Sequence, residues 1–459
     1  MTHTNDTVNL SGYASGKPMH NSVEGQLPLF EMKRLLAILM LLIATVVMSA
    51  PAHAFSLIQP QTWPPAFNTN NWPPVLDPHN WPFTLFPVPE VATNPNGGVT
   101  YGILFAALFK NQNGDIDRIF APDINNNTDL GAGGTIRYLA YPSEDTQYYA
   151  ILGAQQNITR NVDLLYSTGR TRKKWWSFYG RFFFERDPTE RFFGIGNNSR
   201  LGQETNYTTE QVYLQALLGL NLTRDLQVAL VERPRYVRLF DGAFNSIPTI
   251  FNVFPHVKGV GGGSEVLNEL RLTYDSRDSI EIPTSGTLGV IYGSIADRRF
   301  MSSFSYTRFG FDLHRYYPLS SRLTLAGHLY MQWMPSGNEA PFWDMGRLGG
   351  EESLLYDQQT LRGYGAGRFI DNNLGVANIE LRARVLEATI FNTHGILELA
   401  PFFDIGRVWH SMSQNPFEDP HSVGGLGFRA IAEPFVVGYV DIGAGGEGPA
   451  IFSGINYPF

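Results

Sequence analysis

Hydrophobic and polar residues alternate over much of the chain between residues 99 and 459, with the two-residue period of β-strands. Residues 322–334, for example, place Leu325 and Leu329 on one face and polar side chains on the other, and residues 206–219 alternate in the same way. Turn-forming residues separate about sixteen such segments. They lie near residues 99–110, 130–142, 146–156, 161–170, 174–185, 206–219, 225–236, 265–275, 286–295, 302–315, 322–334, 373–386, 396–408, 421–433, 435–444 and 449–459.

This pattern predicts an all-β protein, and an even number of strands of about ten residues is typical of a bacterial transmembrane antiparallel β-barrel. Aromatic residues make up 13% of the chain, while charged residues make up only 17%, below the ~25% of soluble domains. A barrel whose aromatic exterior faces lipid has this balance. A soluble β-sandwich or propeller would alternate similarly, but the long loops and the export signal described below favour the membrane barrel.

The region before the barrel contains an expected secretory signal peptide at residues 32–54. Met32 and two basic residues precede an apolar run at 35–47, and a small-residue Ala-His-Ala site follows. We expect residues 1–31 to be a non-native upstream extension and the mature chain to begin near Phe55. A retained signal anchor is the alternative, which the short apolar run disfavours.

Residues 55–98 are rich in proline, tryptophan and asparagine, with Trp-Pro pairs beginning at residues 63, 72 and 81. Prolines at this density disfavour both helices and central strands. We therefore predict an extended periplasmic tail of polyproline II character, followed by the barrel at residues 99–459. The tail is either a periplasmic arm that docks a partner or lies in the barrel mouth, or a linker, and both interpretations remain open.

Charge and composition narrow the function. The net charge of −8 and the lack of a basic stripe argue against a nucleic-acid partner. The absence of cysteine excludes disulfides and thiolate metal sites and fits an exported protein. The ten histidines form no H-x-x-x-H pair and no G-x-S-x-G motif is present. Residues 123–129 resemble a calcium loop only superficially and are interpreted as a polar extracellular loop. We expect no enzymatic activity, no cofactor and no metal.

The longest interval without strand periodicity in the C-terminal half is residues 335–372. Loops of this length are usually functional or disordered. Its centre has three glycines at alternate positions beside two arginines. A solvated surface loop is one interpretation. A phosphate cradle is another, but it requires a helix after the glycines, and the following residues alternate like a strand.

This loop resembles the arginine-glycine-aromatic signature of the bacterial surface-antigen barrels, the BamA/TamA-like superfamily of outer-membrane assembly and secretion translocases. The resemblance implies that the loop folds into the barrel lumen and that its arginine pairs with an acid on a nearby strand. The residues that carry the resemblance are Arg362, Gly363, Tyr364, Gly367 and Arg368.

Residues 402–406, with the sequence Phe-Phe-Asp-Ile-Gly, resemble the strand motif that receives the arginine in this superfamily. Its characteristic residues here are Asp404 and Gly406, and strand alternation directs Asp404 inward. We predict an Arg362–Asp404 salt bridge. Pairing of Asp404 with Arg382 or Arg384 on the preceding strand is the alternative.

Three further segments resemble the superfamily. Residues 193–198, Phe-Gly-Ile-Gly-Asn-Asn, are similar to a stretch of its surface-antigen branch. Ile451, Ile455, Tyr457 and Phe459 share one face of a closing strand that resembles the C-terminal signal of outer-membrane barrels. The third is similar to a periplasmic hairpin of the superfamily, and its motif residues are Asp275, Arg277, Asp278 and Gly286.

The resemblance implies a barrel in the bacterial outer membrane that assists insertion or translocation of proteins there. Its expected partners are outer-membrane lipid, client outer-membrane or secreted proteins, and a periplasmic partner. Superfamily members often carry periplasmic modules before the barrel, and residues 55–98 leave no room for one. The alternatives are a passive or ligand-gated pore, or a barrel that acts only as a surface antigen or anchor.

Overall fold

The computed structural model describes residues 81–112, 114–335, 340–350, 360–390, 393–432 and 436–459. Within these residues, eighteen strands form one sheet in which each strand pairs antiparallel with the next along the chain. The extension at 1–31, the signal peptide and residues 55–80 of the tail lie outside the described part. The eighteen barrel strands are β1 (Phe83–Asn94), β2 (Gly98–Lys110), β3 (Ile116–Asn127), β4 (Gly131–Ser143), β5 (Thr146–Gln155), β6 (Arg160–Thr168), β7 (Trp176–Phe192), β8 (Thr205–Asn221), β9 (Leu226–Asp241), β10 (Gly263–Asp275), β11 (Gly286–Ala296), β12 (Tyr306–Ser320), β13 (Leu323–Trp333), β16 (Asn373–Ile390), β17 (Thr393–Trp409), β18 (His421–Ala432), β19 (Val436–Gly445) and β20 (Gly448–Ile455).

Smaller elements lie in the loops. Two short strands, β14 (Gly346–Leu348) and β15 (Phe369–Asp371), pair with each other inside the long loop. One helical turn, α1, spans Ile250–Val253. Three 3-10 turns span Leu201–Gln203, Arg298–Phe300 and Phe342–Asp344. No helix in the described residues is both long and apolar enough to cross a membrane.

The predicted all-β antiparallel barrel is confirmed, with eighteen strands where the sequence indicated about sixteen. One end of the barrel has the shorter connections, the longest being 276–285. The other end has long ones, including 193–204, 242–262 and 334–372. Short turns face the periplasm and long loops face outward in such barrels, so β1 begins and β20 ends on the periplasmic side.

The outer surface of the barrel is apolar and its lumen is polar, as strand alternation predicted. Leu214 and Leu218 on β8 are 54% and 63% exposed on the outer face, whereas Gln211 and Gln215 are buried inside. Ile291 on β11 is likewise 61% exposed. A continuous belt of such side chains forms the surface that contacts lipid.

The first strand lies within the segment predicted to be a tail. Strand β1 begins at Phe83, so the barrel does not start at residue 99, and the tail boundary at 98 is wrong. Pro87 and Pro89 led to that prediction because proline removes a ladder donor. They are accommodated because β1 is an edge strand that pairs through its whole length with β2 alone.

The other additional strand is β3, whose end was interpreted as a polar loop. Asp123 is buried, accepts hydrogen bonds from Asn125 Nδ2 at 2.7 Å and Thr135 N at 3.1 Å, and pairs with Arg137. Ile124, between the two polar residues, is 70% exposed on the outer face. The polar residues therefore form the lumen face of a strand. In sequence alone, such a polar face looks like a solvated loop.

The C-terminal residues depart from the predicted closing strand. Strand β20 ends at Ile455, and Asn456 adopts a left-handed conformation with φ of 79°. The chain therefore turns inward, and Phe459 is only 6% exposed, packed against Tyr316 on the lumen side. The closing strand was predicted to run to Phe459, but it ends at Ile455, because the turn at Asn456 redirects Tyr457 and Phe459.

Candidate functional site in the barrel lumen

The long loop between β13 and β16 lies inside the barrel. Its two limbs are joined by the β14–β15 pair, and a cluster of buried apolar side chains attaches it to the wall. Arg362 and Leu361 are 0% exposed. The loop residues of this cluster are Leu348, Leu361, Tyr364 and Phe369, and the wall residues include Tyr292, Tyr330, Val376, Phe402 and Val423.

Arg362 is the centre of the site. Its guanidinium donates to Asp404 of β17 through two bonds, Nε to Oδ2 at 2.9 Å and Nη2 to Oδ1 at 2.7 Å. Nη1 also donates to Glu380 of β16 and, at 3.0 Å, to Asp441 of β19. The guanidinium carbon lies 3.7 Å from the centre of the Phe402 ring. The structure therefore places Arg362 against the predicted partner and against two acids that were not predicted to bind it.

The surrounding charges balance. Arg429 of β18 pairs with Glu380 at 2.9 Å and with Asp441, and Arg382 pairs with Glu380 at 3.0 Å. Arg382 was considered as a partner for Asp404, but its ion pair is with Glu380. With Arg362 and Asp404, the group has three positive and three negative side chains, all nearly inaccessible to solvent. Buried charges are tolerated only when paired in this way.

A second ionic anchor holds the other limb of the loop. Asp344 follows β13 and is buried among three arginines of the opposite wall, Arg233 and Arg235 of β9 and Arg308 of β12. The nitrogen-to-oxygen distances are 3.0, 3.3 and 3.2 Å. Tyr306 of β12 also donates to Asp344. The loop thus carries one acid held by arginines and one arginine held by acids.

Glycines allow the loop to approach the wall closely. A Cβ on Gly443 of β19 would lie 1.6 Å from the carbonyl oxygen of Arg362, and one on Gly363 would lie 2.8 Å from Val423. Gly367 has a φ of +57°. The hydroxyl of Tyr364 accepts a hydrogen bond from Gly446 N at 2.8 Å. These contacts fix the backbone of the Arg-Gly-Tyr segment against β18 and β19.

Arg368 fixes the outer end of the same limb. Its Nε donates to Glu447 at 2.6 Å and its Nη1 donates to Ser199 Oγ at 2.9 Å. The guanidinium carbon lies 4.3 Å from the centre of the Phe193 ring. Glu447 lies in the turn after β19, where burial raises its pKa and Arg368 opposes that shift. Arg368 therefore links the loop to two neighbouring extracellular connections.

The segment 193–198 packs on the inserted loop from the extracellular side. Gly196 N donates to the carbonyl of Ile370 at 2.8 Å. Asn197 Nδ2 donates to the carbonyl of Asp419 at 2.8 Å, and its Oδ1 accepts from Val408 N at 3.2 Å. The segment joins the inserted loop to the β17–β18 connection, so its residues are positioned by the same site as Arg362.

The periplasmic hairpin motif forms a separate, local structure. Arg277 donates to Asp275 through Nε and Nη2, both at 2.9 Å. Asp278 accepts from the backbone N of Thr284 at 2.9 Å and of Ser285 at 3.0 Å. Partial burial raises the pKa of Asp278, but the hydrogen bond from the Thr284 hydroxyl and those from the backbone amides outweigh it and lower the pKa below its ordinary value. The structure places these residues at the turn, away from Arg362.

Several contacts of the lumen site were not predicted from the sequence. Glu380 and Asp441 bind Arg362, and Arg429 binds both acids. All three lie on lumen faces of their strands, so strand alternation could have indicated that they meet. Asp344 lies in a 3-10 turn without periodicity. No local sequence signal distinguishes it from a solvated acid.

Some known proteins are similar to this chain. No curated protein sequence matches the chain. Similar solved structures include BamA from Haemophilus ducreyi lacking POTRA domains 1–3, with a TM-score of 0.47, 14% identity, and coverage of 81% of this chain and 75% of that one. CdiB from Acinetobacter baumannii has a TM-score of 0.43, 13% identity, and coverage of 82% and 60%. CdiB from Escherichia coli has a TM-score of 0.43, 13% identity, and coverage of 82% and 62%.

A family model provides the assignment. The Omp85 superfamily domain matches residues 145–430, which is more than half of the chain and includes Arg362 and Asp404. The resemblance drawn from the loop, hairpin and terminal motifs is thereby confirmed at the level of the superfamily. The chain belongs to the Omp85 superfamily.

Proposed function

We propose that this outer-membrane barrel assists the insertion or translocation of other proteins, and that client chains engage it at the seam between β1 and β20. The observation that supports this proposal is the weakness of the seam. Among the residues that the structure describes, β1 and β20 share no backbone ladder, whereas every other neighbouring pair of barrel strands does.

The seam is held by a side chain. Thr93 Oγ1 accepts from the backbone N of Ile451 at 2.7 Å and donates to the carbonyl of Ile451 at 3.4 Å. One hydroxyl replaces a ladder of amide bonds. These two hydrogen bonds cost far less to break than the ladder of a strand pair, because each contributes only about 0.5–1.5 kcal/mol.

The register leaves the first half of β1 without a partner in β20. Carrying the Thr93–Ile451 contact along two antiparallel strands places Ile455, the end of β20, beside Pro89. Residues 83–88 of β1 therefore have no part of β20 opposite them. Pro87 and Pro89 lack an N–H, and their spacing of two directs them to the same edge. An unpaired strand edge is a template on which another strand can add.

The filled lumen favours this proposal over a passive pore. The inserted loop is fixed at Asp344 on one wall and Arg362 on the other, and the C-terminal residues enter from the periplasmic side. An open channel would require both to leave. The proposed partners are outer-membrane lipid, client outer-membrane or secreted proteins and a periplasmic partner, with export by the signal peptide at 32–54.

A disulfide lock tests the proposal. The chain contains no cysteine, so Thr93→Cys with Ile451→Cys would place one reversible bond across the seam. The control is Leu272→Cys with Ile291→Cys, a directly opposed pair within the intact β10–β11 ladder. Each variant replaces the wild-type protein in its host, and the outer-membrane proteome is quantified with and without reductant.

The expected result is loss of one or a few outer-membrane or surface proteins in the seam-locked strain, with recovery on reduction and no loss in the control. Depletion of the protein should remove the same clients. If depletion leaves the outer-membrane proteome unchanged, the client role is wrong and the pore or anchor alternative replaces it.

A further inference from the structure

Two histidines and an aspartate meet in the lumen below the inserted loop. His314 Nε2 and His328 Nε2 each lie 2.9 Å from Oδ1 of Asp312. All three residues are at most 4% exposed. The cluster lies apart from the ion pairs of Arg362 and Asp344, and neither the superfamily assignment nor the proposed function uses it.

Strand geometry brings these residues together. Asp312 and His314 are two residues apart on β12 and therefore share its lumen face. His328 is the direct cross-strand partner of His314 in the β12–β13 ladder, and the two rings stack with centres 4.5 Å apart. A spacing of two residues plus a neighbouring strand is the β-sheet equivalent of the helical H-x-x-x-H pair, which is why the sequence search for that pair did not find it.

The hydrogen bonds around His328 define where its proton lies. Asn378 of β16 donates through Nδ2 to the carbonyl of Thr360 at 3.2 Å, so its Oδ1 faces His328 Nδ1 at 2.8 Å. Nδ1 must therefore carry the proton that completes this bond. A neutral imidazole has one N–H, which leaves a lone pair on Nε2. That lone pair points at an oxygen of Asp312.

Two atoms with lone pairs do not lie 2.9 Å apart unless a proton or a cation lies between them. A proton on His328 Nε2 is one solution, because a neutral His314 that carries its own proton on Nε2 then donates to the same oxygen without a second charge. A cation bound by both nitrogens and the carboxylate is the other solution, and it also supplies all three groups with one charge centre.

We propose that Asp312, His314 and His328 bind a divalent transition-metal ion, for which zinc is the probe. Two imidazoles and one carboxylate form a ligand set typical of such ions. The Asn378 amide is the kind of outer partner that orients a ligating imidazole through its other nitrogen. The remaining coordination positions would belong to water.

The site would connect three parts of the barrel. The Phe459 ring stacks on the His328 ring with centres 5.5 Å apart, so the C-terminus covers the site. Asn378 joins His328 to Thr360, at the entry to the Arg362 segment of the loop. An ion here would therefore hold β12, β13, the inserted loop and the C-terminus to one another, and it would act on stability.

Metal analysis of the full-length protein, folded into detergent micelles with zinc and then freed of excess, tests this proposal. We expect about one zinc per chain in the wild type and in His256→Gln, whose histidine lies exposed in an outer loop. His314→Gln and His328→Gln keep similar volume and polarity, and each should reduce bound zinc at least tenfold. Cobalt in place of zinc should give visible absorption bands in the wild type and in His256→Gln, but not in His314→Gln or His328→Gln.

A folding control separates binding from collapse of the barrel. Each variant is first checked for a folded barrel by its heat-dependent migration on gels. Chelator treatment should lower the thermal midpoint of the wild type and of His256→Gln to that of His328→Gln and leave the last unchanged. Folded wild type without zinc, or folded variants with the same zinc content as the wild type, would overturn the proposal and leave a shared proton in the cluster.

Discussion

Arg362 and Asp404 form a two-bond pair in which both side chains are wholly inaccessible to solvent. The pair joins a loop that enters from outside to a strand of the barrel wall. Because Glu380 and Asp441 share the same guanidinium, removing Arg362 would leave several buried carboxylates without their cation.

We therefore expect Arg362→Ala to destabilise the folded barrel by about 3–5 kcal/mol, the usual cost of breaking a buried ion pair from one side. Arg362→Lys keeps the charge but loses the planar fork, and it should be intermediate. Urea unfolding in detergent micelles or vesicles measures both. Equal stability of Arg362→Ala and wild type would contradict the central role of this residue.

Charge reversal tests the pairing itself. Arg362→Asp alone should impair client delivery and stability, and Arg362→Asp with Asp404→Arg should restore part of both. Restoration should be incomplete because Glu380 and Asp441 remain near the new acid. A double variant no better than the single one would count against Asp404 as the functional partner.

The approach of the loop to β19 gives a third prediction. Gly443→Ala places a methyl group where the Arg362 carbonyl lies, at 1.6 Å, so the loop must move. We expect the folded barrel to lose at least about 1–3 kcal/mol of stability, the typical cost of overpacking. Protease cleavage of the loop should also increase. Gly293→Ala is the matched control, because its Cβ would meet no atom within 4 Å; it should behave as wild type.

Removing the charge of Asp344 should release the other limb of the loop from the barrel wall. Asp344→Asn keeps the shape but removes the charge that balances Arg233, Arg235 and Arg308. We expect faster protease cleavage near residues 340–350 and little change in the strands. Asp297→Asn, in an exposed outer turn, is the control. Protection equal to wild type would show that the loop is held without this charge.

The periplasmic turn at 276–285 should depend on pH. The pKa of Asp278 is lowered by its hydrogen bonds, so its contribution to stability is present above the unfolded-state pKa, about 4, and is lost as pH falls through the lower folded-state value. The protection of the turn amides, measured relative to their intrinsic exchange rate at each pH, should therefore decrease in acid. In Asp278→Asn, the turn amides should exchange faster at neutral pH, and their protection should no longer depend on pH. Asp225→Asn, in the neighbouring turn, should show neither change.

The inward C-terminus should restrict the lumen. Arg382 donates to the carbonyl of Phe459 at 3.3 Å and lies 3.7 Å from the centre of the Tyr457 ring. Removing residues 457–459 should raise single-channel conductance in planar bilayers, and Phe459→Ala should raise it less. Phe417→Ala, on an exposed outer connection, is the control. Unchanged conductance after truncation would mean that other segments close the lumen.

The sequence predicted much of the barrel because apolar and polar residues alternate along a strand that has lipid on one side and the lumen on the other. Gln211 and Leu214, for example, face lumen and lipid as expected. It failed where a local rule was overridden by position in the sheet. Pro87 suits β1 because that strand has a free edge, and Asp123 suits β3 because the lumen supplies Arg137.

The candidate site was predictable only in part. Resemblance pointed to Arg362 and Asp404, but Asp441 lies on a strand that meets the loop only after the sheet has curved into a barrel. No residue near Asp344 in the sequence indicates that three arginines surround its carboxylate. The inward turn of Phe459 depends on the single backbone conformation of Asn456, which residue type alone does not specify.

The opposite signs of the two loop anchors have a consequence for assembly. The arginines that hold Asp344 lie on β9 and β12, which are synthesised before the loop, whereas all the acids that hold Arg362 lie on β16, β17 and β19, which are synthesised after it. A chain that lacks its last strands can dock the first limb but not the second. We infer that Arg362 is held in place only after the C-terminal strands have joined the barrel.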